Sequence, residues 1–320
     1  MNKKIISMAV AAALVAPMAA QAADVTVNGN IAGEIVSNDA GLYMQDNGQS
    51  KLVFNVKDAE SGWYARYGMD IRLGRLQGEI AGIAGALDGD ATAKGAKFAT
   101  DRAAYVGVKM GAGSLQFGRA TTVGANIEGD KFSGTFLEMR NNATAGGAYN
   151  SASFLNQVIQ YRTKMGGTKL GVEYIASDVT SAGANPEVGH YAVSLKGKAG
   201  SIGYYLGMNN GNTSTGNDYM KVGASMAMGG MNLRLGMDDS PENTAKKTGG
   251  SKMHLGLDMK MGGGLLDVTF ADAGNDNTTS YTRIAYKMKP SKSVTINTGY
   301  AINGNSGAGD TFGVGVIVGF

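Results

Sequence analysis

Three observations predict an all-β fold, a closed antiparallel transmembrane β-barrel of about 16 strands. Apolar and polar residues alternate through most of the chain. Many alternating runs last about ten residues, longer than the usual soluble strand and matched to a tilted strand crossing a bilayer. Short Gly-rich turns take turns with longer polar connections.

Residues 1–22 read as a secretory signal peptide. Lys3 and Lys4 precede an apolar stretch from Ile5 to Met18, and Ala20-Gln21-Ala22 has the small-x-small form of a cleavage site. The mature chain is then 23–320, a single barrel domain exported from the cytoplasm. A buried N-terminal helix is the alternative for this stretch. No later apolar run approaches the length of a spanning helix.

The alternation is clearest at Trp63, Ala65, Tyr67, Met69 and Ile71 against Tyr64, Arg66, Gly68, Asp70 and Arg72. Strand side chains alternate sides, so one face is apolar and the other charged. The same pattern places Met253, Leu255, Leu257, Met259 and Met261 opposite Lys252, His254, Gly256, Asp258 and Lys260. It recurs at Phe312, Val314, Val316, Val318 and Phe320. The strands are expected at 25–37, 50–58, 62–73, 100–110, 113–120, 155–165, 168–178, 188–198, 200–209, 217–228, 231–239, 250–261, 264–272, 279–289, 292–302 and 310–320. Short turns are expected around Gly111, Gly166, Ala199, Gly229, Gly262 and Pro290. The long connections fall on the other rim, among them Asn38 to Ser50 and, longest, Thr121 to Phe154. An open sheet edge in hydrocarbon leaves backbone groups unsatisfied, so the sheet must close. At about 16 strands the lumen is too wide for side chains to fill, and it holds water.

Composition narrows the function. There are 50 glycines, 4 prolines and no cysteine, which excludes thiolate metal sites, disulfides and a Cys nucleophile. The formal net charge of +3 loses two positive charges with the leader, so nucleic acid is not an expected partner. His190 and His254 are the only histidines and stand far apart, which suits neither a metal cluster nor a Ser/His/acid triad. No cofactor, metal or catalytic residue is expected. The residues Trp63, Tyr64, Tyr174, Tyr191, Tyr219, Tyr300 and Phe320 lie near strand ends, as aromatic girdles do. Met226, Met228, Met253, Met259 and Met261 take the outward phase, toward lipid or a neighbouring subunit.

The run Asp101-Arg102-Ala103-Ala104-Tyr105-Val106-Gly107-Val108-Lys109, a short turn, then Ser114-Leu115-Gln116-Phe117-Gly118-Arg119 resembles the hairpin before the third loop of the general trimeric porins of Gram-negative bacteria. Ser50 to Phe54, Met139 to Asn142 and Val158 to Arg162 are similar to further segments of that family, and the strand ending in Phe320 resembles its assembly signal. The resemblance implies a homotrimer in the outer membrane of a Gram-negative bacterium, in contact with lipid and lipopolysaccharide and inserted by the barrel-assembly machinery through Phe320. It implies passive diffusion of small polar solutes and ions through the lumen. It also implies that the loop from Thr121 to Phe154 folds inward, with Glu128, Asp130 and Glu138 facing a basic row on the wall. Lys51 and Arg102 align with that row, Arg66 shares their expected phase, and Arg140 is a further candidate. Ordinary lumen charges and solvated loop acids are the plainer readings of these residues. The chain departs from the family at Asn30, where many relatives carry an inward lysine, and in lacking the Pro-Glu-Phe-Gly-Gly type of loop tip. Two other roles remain open at this point: a barrel that sheathes or anchors a periplasmic partner with little solute flux, and an outer-membrane hydrolase.

Overall fold

The computed structural model describes residues 23–39, 41–45, 49–71, 99–139, 155–175, 190–210, 219–243, 248–272, 280–303 and 309–320. The first quarter of the sheet comprises β1 (Asp24–Asn38), β2 (Gly41–Gln45), β3 (Lys51–Lys57), β4 (Trp63–Ile71) and β5 (Ala99–Met110). It continues through β6 (Gly113–Ala120), β7 (Leu155–Met165), β8 (Thr168–Ile175), β9 (His190–Ala199), β10 (Ile202–Asn210) and β11 (Tyr219–Met228). The last part is β12 (Met231–Asn243), β13 (Thr248–Met261), β14 (Gly264–Asp272), β15 (Tyr281–Met288), β16 (Val294–Asn303) and β17 (Thr311–Gly319).

Every neighbour pair is antiparallel, and β17 returns to β1 with Asn30 opposite Gly319 and Ser37 opposite Phe312. Gly29 and Phe320 complete this seam by exchanging backbone hydrogen bonds of 3.1 and 3.0 Å. The segments β2 and β3 both pair with β1, at Glu34–Asn38 and Asp24–Asn30 respectively, so they are two pieces of one wall strand and the barrel has 16 staves. The first long connection is therefore not all loop: Gly41–Gln45 extends the wall. Where the two pieces join, the Ser50 hydroxyl bonds the backbone of β1. It accepts from the Ala32 amide at 3.0 Å and donates to the Ala32 carbonyl at 3.3 Å.

Two-residue hairpins at the short-turn rim have positive φ at one or both central positions, because mirror-image turns follow the strand twist. Gly229 and Gly230 supply φ of 52° and 90°, and Gly262 and Gly263 supply 56° and 78°. The expected strand positions hold with shifts of a few residues, and so does their phase. Val27, Ile31, Ile35, Leu255, Ile284 and Val314 are exposed on the outside, while Glu34, Lys252, His254, Asp258, Asp267 and Arg283 are buried inside. In a soluble protein that distribution is inverted; around a water-filled lumen facing lipid it is what solvation demands. Trp63 and Phe320 at the short-turn rim and Tyr174, Tyr191 and Tyr300 toward the other rim point outward and are exposed. Tyr64 does not join them. Its hydroxyl lies 3.4 Å from Gln116 on the lumen side, in the phase of Arg66. The side chain of Tyr219 lies outside the described residues.

Candidate functional site: the lumen and its third loop

The loop after β6 turns inward and runs along the inside of the wall as far as Met139, where description ends. Its start is fastened to β7 and β8. Gln160 and Arg162 donate to the Thr121 carbonyl at 2.7 and 2.8 Å, and Glu173 accepts from the Val123 amide at 3.0 Å. Glycines on the wall make room for it. A Cβ at Gly171 would stand 2.9 Å from Val123, and one at Gly299 would stand 2.9 Å from Leu137. Farther along, Lys196 of β9 donates to the Ile127 carbonyl at 2.7 Å.

An apolar cluster then seats the loop. Phe132, Phe136, Leu137 and Met139 pack on Val36 of β1, Ala271 of β14, Tyr281 and Ala285 of β15 and Ala301 of β16. Burial of four large apolar side chains contributes roughly 1.5–3 kcal/mol each before the entropy of ordering the loop is subtracted. Directional bonds set its register. The Glu34 carboxylate accepts from the Phe136 amide with both oxygens at 3.1 Å. Tyr281 and Arg283 donate to the Leu137 carbonyl at 2.9 and 2.6 Å.

Arg283 is the centre of this contact. It pairs with Asp130 of the loop at 2.9 Å and with Asp267 of β14 at 2.7 Å, and its guanidinium lies 4.8 Å from the centre of the Phe132 ring. Asp267 also binds Arg234 of β12, which reaches Asp258 of β13 at 3.0 Å. Desolvating so many charges costs several kcal/mol each unless every one is paired, and here acids and bases alternate around the wall. Burial by itself raises the Asp130 carboxyl. Arg283 and the amides of Phe132 and Met139, at 3.0 and 2.9 Å, outweigh it and hold the group below the usual carboxylate range.

Two of the three loop acids therefore pair with the wall. Glu128 lies 3.5 Å from Lys221 of β11, Asp130 is bound to Arg283, and Glu138 is buried and accepts from Ser133 at 2.7 Å. Lys51, Arg66 and Arg102 lie together on β3, β4 and β5, the part of the wall the described loop leaves uncovered. Lys51 is opposite Asp70, four residues up from the Asn55–Arg66 pair, and it interacts electrostatically with Arg66, Arg102 and Asp70. Strict alternation along β5 would turn Arg102 outward, with Val106. A register slip between Gly68–Ala103 and Met69–Asp101 makes Arg102 an extra residue, and the bulge brings it inward onto Asp70 at 2.6 Å. Tyr64 and Tyr105 stand beside these bases with ring centres 6.3 Å apart, edge to face. Arg140 lies outside the described residues.

Sequence reasoning did not single out Arg283, Lys221, Arg234 or Asp267. Their inward phase was readable, yet nothing local says which stretch of wall the loop covers. Among the described residues no group of three or more His, Asp or Glu stands ready for a metal ion.

A family of sequences described as Gram-negative porin matches residues 8–308. No curated protein matches the chain. Several solved structures share the fold at low identity. An anion-selective porin from Comamonas acidovorans is 19% identical with a TM-score of 0.67, covering 93% of this chain and 100% of that one. OmpF of Salmonella typhi, solved with daunomycin, is 14% identical with a TM-score of 0.69 over 92% and 97%. A mutant of the Rhodopseudomonas blastica porin is 14% identical with a TM-score of 0.67 over 93% and 100%.

Proposed function

This chain belongs to the Gram-negative porin family, and we propose that its barrel is a constricted diffusion channel that favours small hydrophilic anions. A multi-pass barrel in the outer membrane with a channel function is the family's common ground; the preference for anions is our reading. One observation carries it. Two acids of the third loop are paired against the wall, at Glu128–Lys221 and Asp130–Arg283, whereas the wall that the described part of the loop leaves uncovered is mainly basic. Among the described residues, the charged inward positions of β3, β4 and β5 are Lys51, Lys57, Arg66, Arg102 and Lys109 against Asp70. A low-dielectric wall focuses that excess into the lumen, so anions concentrate there and cations are held back. The Comamonas acidovorans protein of the same fold is named anion-selective, which accords with this reading.

The sheath alternative is less well supported. A partner threaded through the lumen would have to displace a loop that is seated by an apolar cluster and by Glu34, Glu173, Lys221 and Arg283 of the wall. Trimeric assembly, contact with lipopolysaccharide, insertion through Phe320 and removal of residues 1–22 are proposed on the family's pattern.

The test is the reversal potential of the folded protein in a planar bilayer under a salt gradient. We expect an anion-favouring potential, large ohmic steps closing in three sub-levels, and a shift toward cations in Lys51→Gln/Arg102→Gln. A potential that does not move in the double variant would remove these residues from selectivity. Absence of steps from a folded oligomer would remove diffusion itself.

A further inference from the structure

Two tyrosines face the lumen on the stretch of wall that the described loop leaves uncovered. Tyr64 of β4 lies opposite Gly107 of β5, and a Cβ at Gly107 would run into its ring, so the glycine lets that ring lie against the wall. Tyr105, two residues along β5 from Gly107, meets it edge to face with ring centres 6.3 Å apart. Both side chains are half-buried. Among the described residues the other lumen-side rings are occupied with packing. Tyr205, Tyr281, Phe132 and Phe136 are buried, and Tyr43 packs on the cluster that seats the loop.

Arginines flank the pair. Arg66 is directly opposite Tyr105, is exposed to the lumen, and has neither a hydrogen bond nor an ion pair among the described residues. Arg162 of β7 stands on the other side and interacts electrostatically with both tyrosines. It donates to the Thr121 carbonyl at 2.8 Å and to Gln160 at 3.1 Å, which leaves N–H groups of its guanidinium for a solute. The Tyr64 hydroxyl is 3.4 Å from Gln116, which donates to Gln160 at 2.6 Å. The ring pair and Arg162 are thus fixed by the side chains that fasten the root of the third loop.

We propose that Tyr64, Tyr105, Arg66 and Arg162 form a subsite for aromatic carboxylates passing through the channel. It rests on the anion-favouring reading of the lumen and adds a solute class to it. A guanidinium presents paired N–H groups that match the two oxygens of a carboxylate. The tyrosines already adopt the edge-to-face packing that aromatic rings prefer, and a third ring joins them by the same quadrupole contact. An inorganic anion or an aliphatic acid meets the charge alone. Arg66 is solvated and the rings are only half-buried, so the solute is held weakly and released, as passage requires.

Benzoate and cyclohexanecarboxylate carry the same charge, are close in size and differ in the π system, so together they separate ring recognition from charge. Each is added to the folded protein in a planar bilayer in KCl, and its half-blocking concentration is read from interruptions of the single-channel current. Benzoate should block at an about two- to tenfold lower concentration, the range of one aromatic contact. Tyr64→Leu/Tyr105→Leu should bring the two acids level, Tyr64→Phe/Tyr105→Phe should keep them apart, and Arg66→Gln should weaken both. Equal block by the two acids in the natural chain overturns the subsite, and so does a folded leucine variant that still prefers benzoate. The reversal potential in KCl alone judges the anion reading separately. If it favours cations while benzoate still blocks better than cyclohexanecarboxylate, the anion preference fails and the ring contact stands.

Discussion

Asp130→Asn isolates the bond that seats the third loop. The carboxylate holds three donors at once: Arg283 at 2.9 Å, the Phe132 amide at 3.0 Å and the Met139 amide at 2.9 Å. Asparagine keeps the shape but has one acceptor oxygen and no charge. Removing one member of a buried ion pair costs about 3–5 kcal/mol when the partner is stranded. Here Arg283 is not stranded, because Asp267 and the Leu137 carbonyl still hold it. The loss is therefore set by the charge-assisted hydrogen bonds, about 2–3 kcal/mol, which is a factor of about 30–150 in the ratio of seated to unseated loop. The barrel wall should be unaffected. Two readouts follow the loop directly. Limited trypsin digestion of the detergent-folded protein should cut after Lys131 far faster in the variant, and single-channel records should show added current noise at unchanged step number. Equal digestion and equal noise would refute the claim that this contact positions the loop.

The same carboxylate predicts the acid response. Its folded value lies below the unfolded one, so its contribution is complete above the ordinary carboxylate range and is lost as pH falls through the depressed value. Trypsin-like probing with an acid-stable protease should find the loop seated from neutral pH down to about pH 4, with release only in stronger acid; release near pH 6 would contradict this. Tyr281→Phe deletes one donor to the Leu137 carbonyl, to which Arg283 also donates, and should cost only about 1 kcal/mol, so its current noise should fall between wild type and Asp130→Asn. Leu255→Arg puts a charge on the lipid face near mid-height and should lower unfolding free energy in urea by about 2–4 kcal/mol, without altering ion preference if any barrel is recovered; an unchanged urea midpoint would place Leu255 off the lipid face.

The wall can be read from the chain alone. A side-chain period of two is a local property, and Gly229-Gly230 and Gly262-Gly263 mark where the chain must reverse, so strand number, phase and the inward set of Lys252, His254, Asp258 and Arg283 were readable residue by residue. Local pattern could not show that Gly41–Gln45 adds to the wall, because that segment is set by its pairing with Glu34–Asn38 on β1. Nor could it show that Arg102 points inward, since its phase depends on a bulge formed against β4. Tyr64 was misplaced among the girdle aromatics because nearness to a strand end says nothing about which side a ring takes. How the charges are shared out depends on the folded chain. Asp130 and Arg283 are 153 positions apart, Glu128 and Lys221 are 93 apart, and their meeting follows from the path of a loop across the inside of a closed sheet. That path pairs Glu128 and Asp130 with bases of the wall, because a carboxylate buried in protein needs a partner.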